Sequence, residues 1–146
     1  MNFAYSCKKQ LLSGISVKRP IIPVELHGNN GLVLVVNAIL DSGSDFTLIP
    51  KELADELALE YDSMDKCSAE SYEGEPFTTT KSSLRIIVRK GRQQSLMFDV
   101  RCMVNLEEGK QHSELILGST FFGYFRIHFN YPHDRFQILS AKGQQA

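Results

Sequence analysis

The sequence predicts a mainly β fold: a closed, β-barrel-like domain with one or two short helices. Three observations lead there. Short runs alternate apolar and polar residues, turn-forming residues separate those runs at close intervals, and helical spacing of apolar residues is confined to brief stretches.

Ile22, Val24 and Leu26 alternate with Pro23, Glu25 and His27, which predicts a half-buried strand. Gly28-Asn29-Asn30-Gly31 tolerates positive φ and predicts a tight hairpin turn. The return segment, residues 32–40, is nearly continuous in Leu, Val and Ile, so both its faces are expected to be covered. It runs straight into Asp41. After the small residues that follow, Phe46, Leu48 and Ile49 form a further short strand, and Pro50 suits the first turn of a helix. Leu53 and Leu57, with Ala54 and Ala58 beside them, make a short amphipathic stripe that ends near Leu59.

Residues 61–83 turn polar around Tyr72-Glu73-Gly74-Glu75-Pro76, the signature of a projecting hairpin or loop. Leu84, Ile86 and Val88 alternate, Lys90-Gly91-Arg92-Gln93-Gln94 turns, and Leu96, Phe98, Val100, Cys102 and Val104 alternate again, which predicts a long hairpin. The basic residues Arg85, Arg89, Lys90 and Arg92 read as its solvated tip. Leu115-Ile116-Leu117-Gly118 is a short buried strand closed by glycine. A helical turn at residues 119–123 and strands through Ile127 and Phe129, then Phe136 and Ile138, complete the chain. Phe121, Phe122, Tyr124 and Phe125 are expected as core or subunit contacts.

With 146 residues, the chain can bury a core without disulfide or metal staples, and one domain over residues 1–146 is expected, its core spanning about residues 16–140. A net charge of −1, with 42% hydrophobic and 23% charged residues, supplies no strong attraction to nucleic acid or to anionic membranes, and neither is expected as a partner. Residues 1–16 hold no apolar run long enough for a signal peptide or a membrane span, so a cytoplasmic location is expected. Cys7, Cys67 and Cys102 are widely spaced and read as free thiols; the four histidines show no ligand spacing, so no metal is expected.

The chemistry concentrates in Ile39-Leu40-Asp41-Ser42-Gly43-Ser44. A carboxylate closes an apolar strand, where burial would favour its protonated form, and Gly43 lets the backbone turn and offer an N–H to it. Alone, Asp-Ser-Gly more often marks a β-turn whose Asp and Ser hydrogen-bond their own backbone.

The order of elements changes that balance. Apolar-apolar-Asp-Ser-Gly-Ser, a strand, a short helix, a projecting hairpin and then Ile116-Leu117-Gly118 before aromatic residues resembles the retroviral-type (retropepsin-like) aspartic proteases across roughly residues 21–138. The resemblance implies Asp41 as the catalytic aspartate and Ser42 as the hydroxyl that interlocks two active-site loops across a dimer. It implies Gly43 as backbone support for the carboxylates, and Leu117 and Gly118 as packing beneath the loop. Tyr72, Glu73 and Gly74 correspond in position to the flap, without its usual glycine-rich tip, and Asp45 corresponds to a contact with substrate backbone. Ser44 stands where viral members usually carry alanine. A hydroxyl donated to an ionised carboxylate favours the charged form, so a more acidic optimum is expected. Ser119-Thr120 follow Gly118 where many viral relatives place an arginine.

Such chemistry needs two carboxyls sharing a proton, and this chain has one such motif, so the resemblance implies a homodimer with a peptide or protein substrate and no cofactor. Two other readings stand beside it: a non-catalytic dimerisation or peptide-binding module of the same fold, and an unrelated small barrel in which Asp41 caps a turn.

Overall fold

Period-two patterning becomes strand through most of the chain. The computed structural model describes residues 1–9, 14–70, 74–107, 109 and 114–140. In chain order the elements are β1 (Asn2–Ala4), β2 (Ser6–Lys9), β3 (Ser16–Arg19), β4 (Ile21–His27), β5 (Val33–Leu40), β6 (Thr47–Pro50) and α1 (Lys51–Glu56). There follow β7 (Cys67–Glu70), β8 (Pro76–Lys90), β9 (Gln93–Gln94), β10 (Phe98–Asn105), β11 (Leu115–Leu117), α2 (Ser119–Phe122), β12 (Phe125–Asn130) and β13 (Arg135–Ser140).

Strands β10, β6, β11, β5, β4 and β8 are hydrogen-bonded in that order, and β8 pairs back onto β10, so the sheet closes on itself. The expected closed, mainly β architecture with two short helices is what forms. A closed ring leaves each strand one inward face. Ile22, Val24 and Leu26 of β4, Leu84, Ile86 and Val88 of β8, and Val100, Cys102 and Val104 of β10 fill the interior. Outside the ring, β1, β13 and β12 form a three-stranded sheet, and Phe3 of β1 stacks on Phe136 of β13 at 5.5 Å. Phe121 and Phe125 are buried and stack at 5.0 Å, as core residues. Among the described residues no helix is long and apolar enough to cross a membrane.

The turn between β4 and β5 also terminates α1. A helix end leaves carbonyls without intrahelical donors. Here the Asn29 N–H donates to Leu57 O at 2.9 Å, Asn29 Nδ2 to Ala58 O at 3.0 Å and Asn30 Nδ2 to Glu56 O at 2.9 Å. The helix stops at Glu56, short of the expected Leu59, because Ala58 adopts a positive φ of 50°.

Three expectations are corrected. β5 is not covered on both faces: Val33 and Val35 are 47% and 69% exposed, since barrel closure turns their side chains outward. The polar stretch over 61–83 is hairpin-forming, as expected, yet β8 begins within it at Pro76, and Thr79 and Thr80 are buried. Their hydroxyls find carbonyls, Thr79 Oγ1 donating to Cys67 O at 3.2 Å and Thr80 Oγ1 to Asp62 O at 2.8 Å, which removes the cost of burying them. Leu96 lies outside β10 and is half exposed, because Ser95 breaks the alternation by accepting the Val88 N–H on its hydroxyl at 2.9 Å.

Candidate active-site loop

The loop is built by one strand lying between two others. β11 runs parallel to β5, with Leu115 opposite Ala38 and Leu117 opposite Leu40, while Ile116 faces Leu48 of the antiparallel β6. It therefore separates the strand that enters the Asp41 turn from the strand that leaves it. The ladder extends one step beyond β5, where the Asp41 N–H donates to Leu117 O at 3.0 Å. The turn then closes on itself: Ser44 N–H donates to Asp41 O at 3.1 Å, and Gly43 N–H to Asp41 Oδ1 at 2.9 Å. The N–H expected to face the carboxylate does so. Among the described residues Oδ2 has no hydrogen-bond partner.

Gly118 lets the second segment reach this turn. A Cβ at that position would lie 2.1 Å from Phe46 O and 2.7 Å from Ser44 O, so the two backbones approach as only glycine allows. From there Ser119 N–H donates to Ser44 O at 2.9 Å and Ser119 Oγ to Asp45 O at 2.6 Å. Gly118 N–H reaches Thr47 Oγ1 at 3.3 Å; Thr47 N–H donates to Thr120 Oγ1 at 3.1 Å, and that hydroxyl donates to Thr47 Oγ1 at 3.0 Å. Each such bond is worth about 1 kcal/mol net, and together they tie the turn to the strap beneath it.

The structure thus brings Asp41, Ser42, Gly43, Ser44 and Asp45 together with Leu117 and Gly118. Gly74 lies at the tip of the β7–β8 hairpin with a φ of +79°, while Tyr72 and Glu73 lie outside the described residues. Two details differ from the sequence reading. Asp41 is exposed in the single chain rather than buried, because the turn projects past the barrel end and only its backbone N–H is engaged below. Ser44 Oγ donates to Phe46 O at 2.7 Å instead of to the carboxylate. Asp45 is held through its carbonyl, and its side chain is exposed.

Thr47 takes no role from the sequence, and Ser119 and Thr120 stand out there only as the residues found where many viral relatives place an arginine. The available signal was a hydroxyl opening an apolar strand and a Ser-Thr pair opening a helical turn directly after glycine. Elsewhere, Cys67 and Cys102 are free, and burial pushes the Cys102 thiol up to about 12 against an opposing hydrogen bond from Ser82, so it is no ready nucleophile. Among the described residues no three His, Cys, Asp or Glu side chains are grouped to hold a metal ion.

No protein-family model and no curated protein matches the chain. Among solved structures it is similar to a retropepsin-like aspartic protease from Rickettsia conorii, at 14% identity and a TM-score of 0.49, over 82% of this chain and 92% of that one.

Proposed function

We propose that the chain is an aspartic endopeptidase that works as a homodimer, with Asp41 of each copy flanking the water that attacks a peptide bond. The observation that carries the reading is the strapped turn. Asp41 is fixed by Leu117 O on its backbone and by Gly43 N–H on Oδ1, which leaves Oδ2 free for chemistry. A carboxylate that reacts must be held in place without all its lone pairs being used.

Two such groups a few ångström apart do not readily both ionise, so the pair shares one proton. The ionised carboxyl accepts a proton from water as its oxygen attacks the carbonyl carbon. The protonated one hydrogen-bonds the carbonyl oxygen and then supplies the proton that the leaving amine needs. Asp41, Ser42 and Gly43 are exposed in one chain, and a two-fold mate seated on that turn would both cover them and supply the second carboxyl. Substrate would lie extended, its backbone pairing with strand edges and with the β7–β8 hairpin around Gly74. Ser42, in this reading, links the two turns, and Asp45 contacts substrate backbone.

A second reading keeps the dimer without cleavage. The Gly43 N–H to Asp41 Oδ1 bond is also what an aspartate makes when it only stabilises a turn. Peptide-library cleavage by the wild type and by Asp41→Asn, at acidic and neutral pH and with pepstatin as probe, separates the two. Activity that falls by about 10²–10⁴-fold in the variant, with an unchanged melting temperature, supports the protease. Cleavage by both indicates another mechanism or a contaminant, and cleavage by neither supports the binding module.

A further inference from the structure

A cavity of about 450 Å³ opens where β4 and β8 part company, and none of its lining residues belongs to the Asp41 loop. Pairing of these strands ends at Val24 opposite Val88; beyond that point β8 turns away through Gly91 to pair Arg89 and Lys90 with β9. The gap is floored by the side chains of Phe3, Pro23 and Val35, with Arg89 and Lys90 also in its lining. It remains mostly apolar although it is open to solvent, and Val35 is 69% exposed there.

Its charges are unequally matched. Glu25, the carboxylate in the lining, is engaged on both oxygens, Oε1 by His27 Nε2 at 2.7 Å and Oε2 by Arg89 Nη2 at 3.2 Å. Lys90 has no carboxylate partner among the described residues; its Nζ stands 4.9 Å from the centroid of the Phe3 ring. One uncompensated cation therefore stands over an apolar floor that water covers poorly.

We propose that this cavity binds an aliphatic monocarboxylate of medium chain length, its tail on Phe3, Pro23 and Val35 and its carboxylate on Lys90. The volume falls in the lower part of the range of about 300–1,000 Å³ that small-molecule sites occupy, which suits one unbranched chain. A charge-assisted bond to Lys90 gives the orientation. A neutral alcohol of equal length keeps only the apolar contact, and an alkyl ammonium meets a like charge. The inference is independent of the proteolytic reading, since it uses no residue of the Asp41 loop.

The test is an amide-resolved NMR titration of the full chain with sodium decanoate, decanol and a decyl ammonium salt, each kept below its aggregation threshold. Decanoate is expected to shift Val24, Val35 and Gly91 saturably, at least fivefold tighter than decanol, with the ammonium salt weaker still. Lys90→Gln should bring decanoate and decanol to parity, and Val35→Asp should abolish both. Both positions are exposed, so melting temperatures should match the wild type and report intact folding. The proposal is overturned if decanoate produces no saturable shift at those amides or if Lys90→Gln binds it as well as the wild type. A short peptide ending in leucine that binds tighter than decanoate also overturns it, by making the occupant a chain terminus.

Discussion

Replacing Gly118 by alanine tests the strap beneath the Asp41 turn most directly. Its φ of −99° is open to any residue, so the obstacle is space and not backbone conformation. The added Cβ would meet Phe46 O at 2.1 Å, Phe46 C at 2.6 Å and Ser44 O at 2.7 Å, all backbone atoms that cannot rotate aside. Ordinary contact begins near 3.4 Å, so the segments must separate by 3.4 − 2.1 = 1.3 Å. That movement stretches Ser119 N–H to Ser44 O, Ser119 Oγ to Asp45 O and Gly118 N–H to Thr47 Oγ1 beyond useful length, from 2.9, 2.6 and 3.3 Å. Three bonds at about 1 kcal/mol each, with about 1–3 kcal/mol of packing strain, give a loss of about 4–6 kcal/mol. Whole domains hold only about 5–15 kcal/mol, so much of the stability goes. Thermal and urea unfolding followed by circular dichroism should show a melting temperature lower by about 10 °C or more, at about 2–4 °C per kcal/mol for this size. Gly43→Ala is the internal control: its Cβ would meet only the Asp41 carboxylate at 3.3 Å, and the loss should stay below about 1 kcal/mol. A Gly118→Ala protein that melts within about 2 °C of the wild type would refute the close-approach argument.

Thr120→Val removes the acceptor for the Thr47 N–H and should cost about 1–3 kcal/mol in urea unfolding. Ser44→Ala deletes a hydroxyl that serves Phe46 O, so stability should drop by about 1 kcal/mol while the acidic limb of any pH–rate profile stays in place. Asn30→Ala uncaps the Glu56 carbonyl and should lower stability by about 1 kcal/mol, read as an earlier urea midpoint. Cys102 sets an alkaline limit. Its thiol ionises near 9.0 when unfolded and is pushed up to about 12 when folded, so unfolding releases a proton in that window and stability falls as pH rises. The slope approaches about 1.4 kcal/mol per pH unit, and Cys102→Ala, though less stable at neutral pH, should show a shallower decline between about pH 9 and 10.5.

The barrel was legible because its strands alternate strictly. Ile22, Val24 and Leu26, and Leu84, Ile86 and Val88, point inward as their spacing requires. Where reading failed, a polar atom had found a local partner. Thr79 and Thr80 look like loop residues until Cys67 O and Asp62 O accept their hydroxyls, and Ser95 displaces Leu96 by taking the Val88 N–H. The Asp41 and Gly118 segments were legible as a pair through the resemblance to retropepsin-like aspartic proteases, which implies that the one packs beneath the other. Their attachment through Thr47, Ser119 and Thr120 was not, since hydrogen bonds between residues more than 70 positions apart leave no periodicity to read. The uncovered side of β5 was missed for a related reason: apolar composition states what a face tolerates, not whether another layer arrives to cover it.

The position of β11 also governs when the loop can form. Residues 115–117 must return between β5 and β6, which were laid down some 70 residues earlier, and pairing across such separation is slow to nucleate. Since synthesis proceeds from the N-terminus, a nascent chain lacking residues beyond 114 also lacks the Leu117 carbonyl that accepts the Asp41 N–H. The turn carrying the carboxylate thus becomes rigid near the end of maturation. A ribosome-bound fragment truncated before β11 should exchange that amide proton as freely as an unstructured peptide.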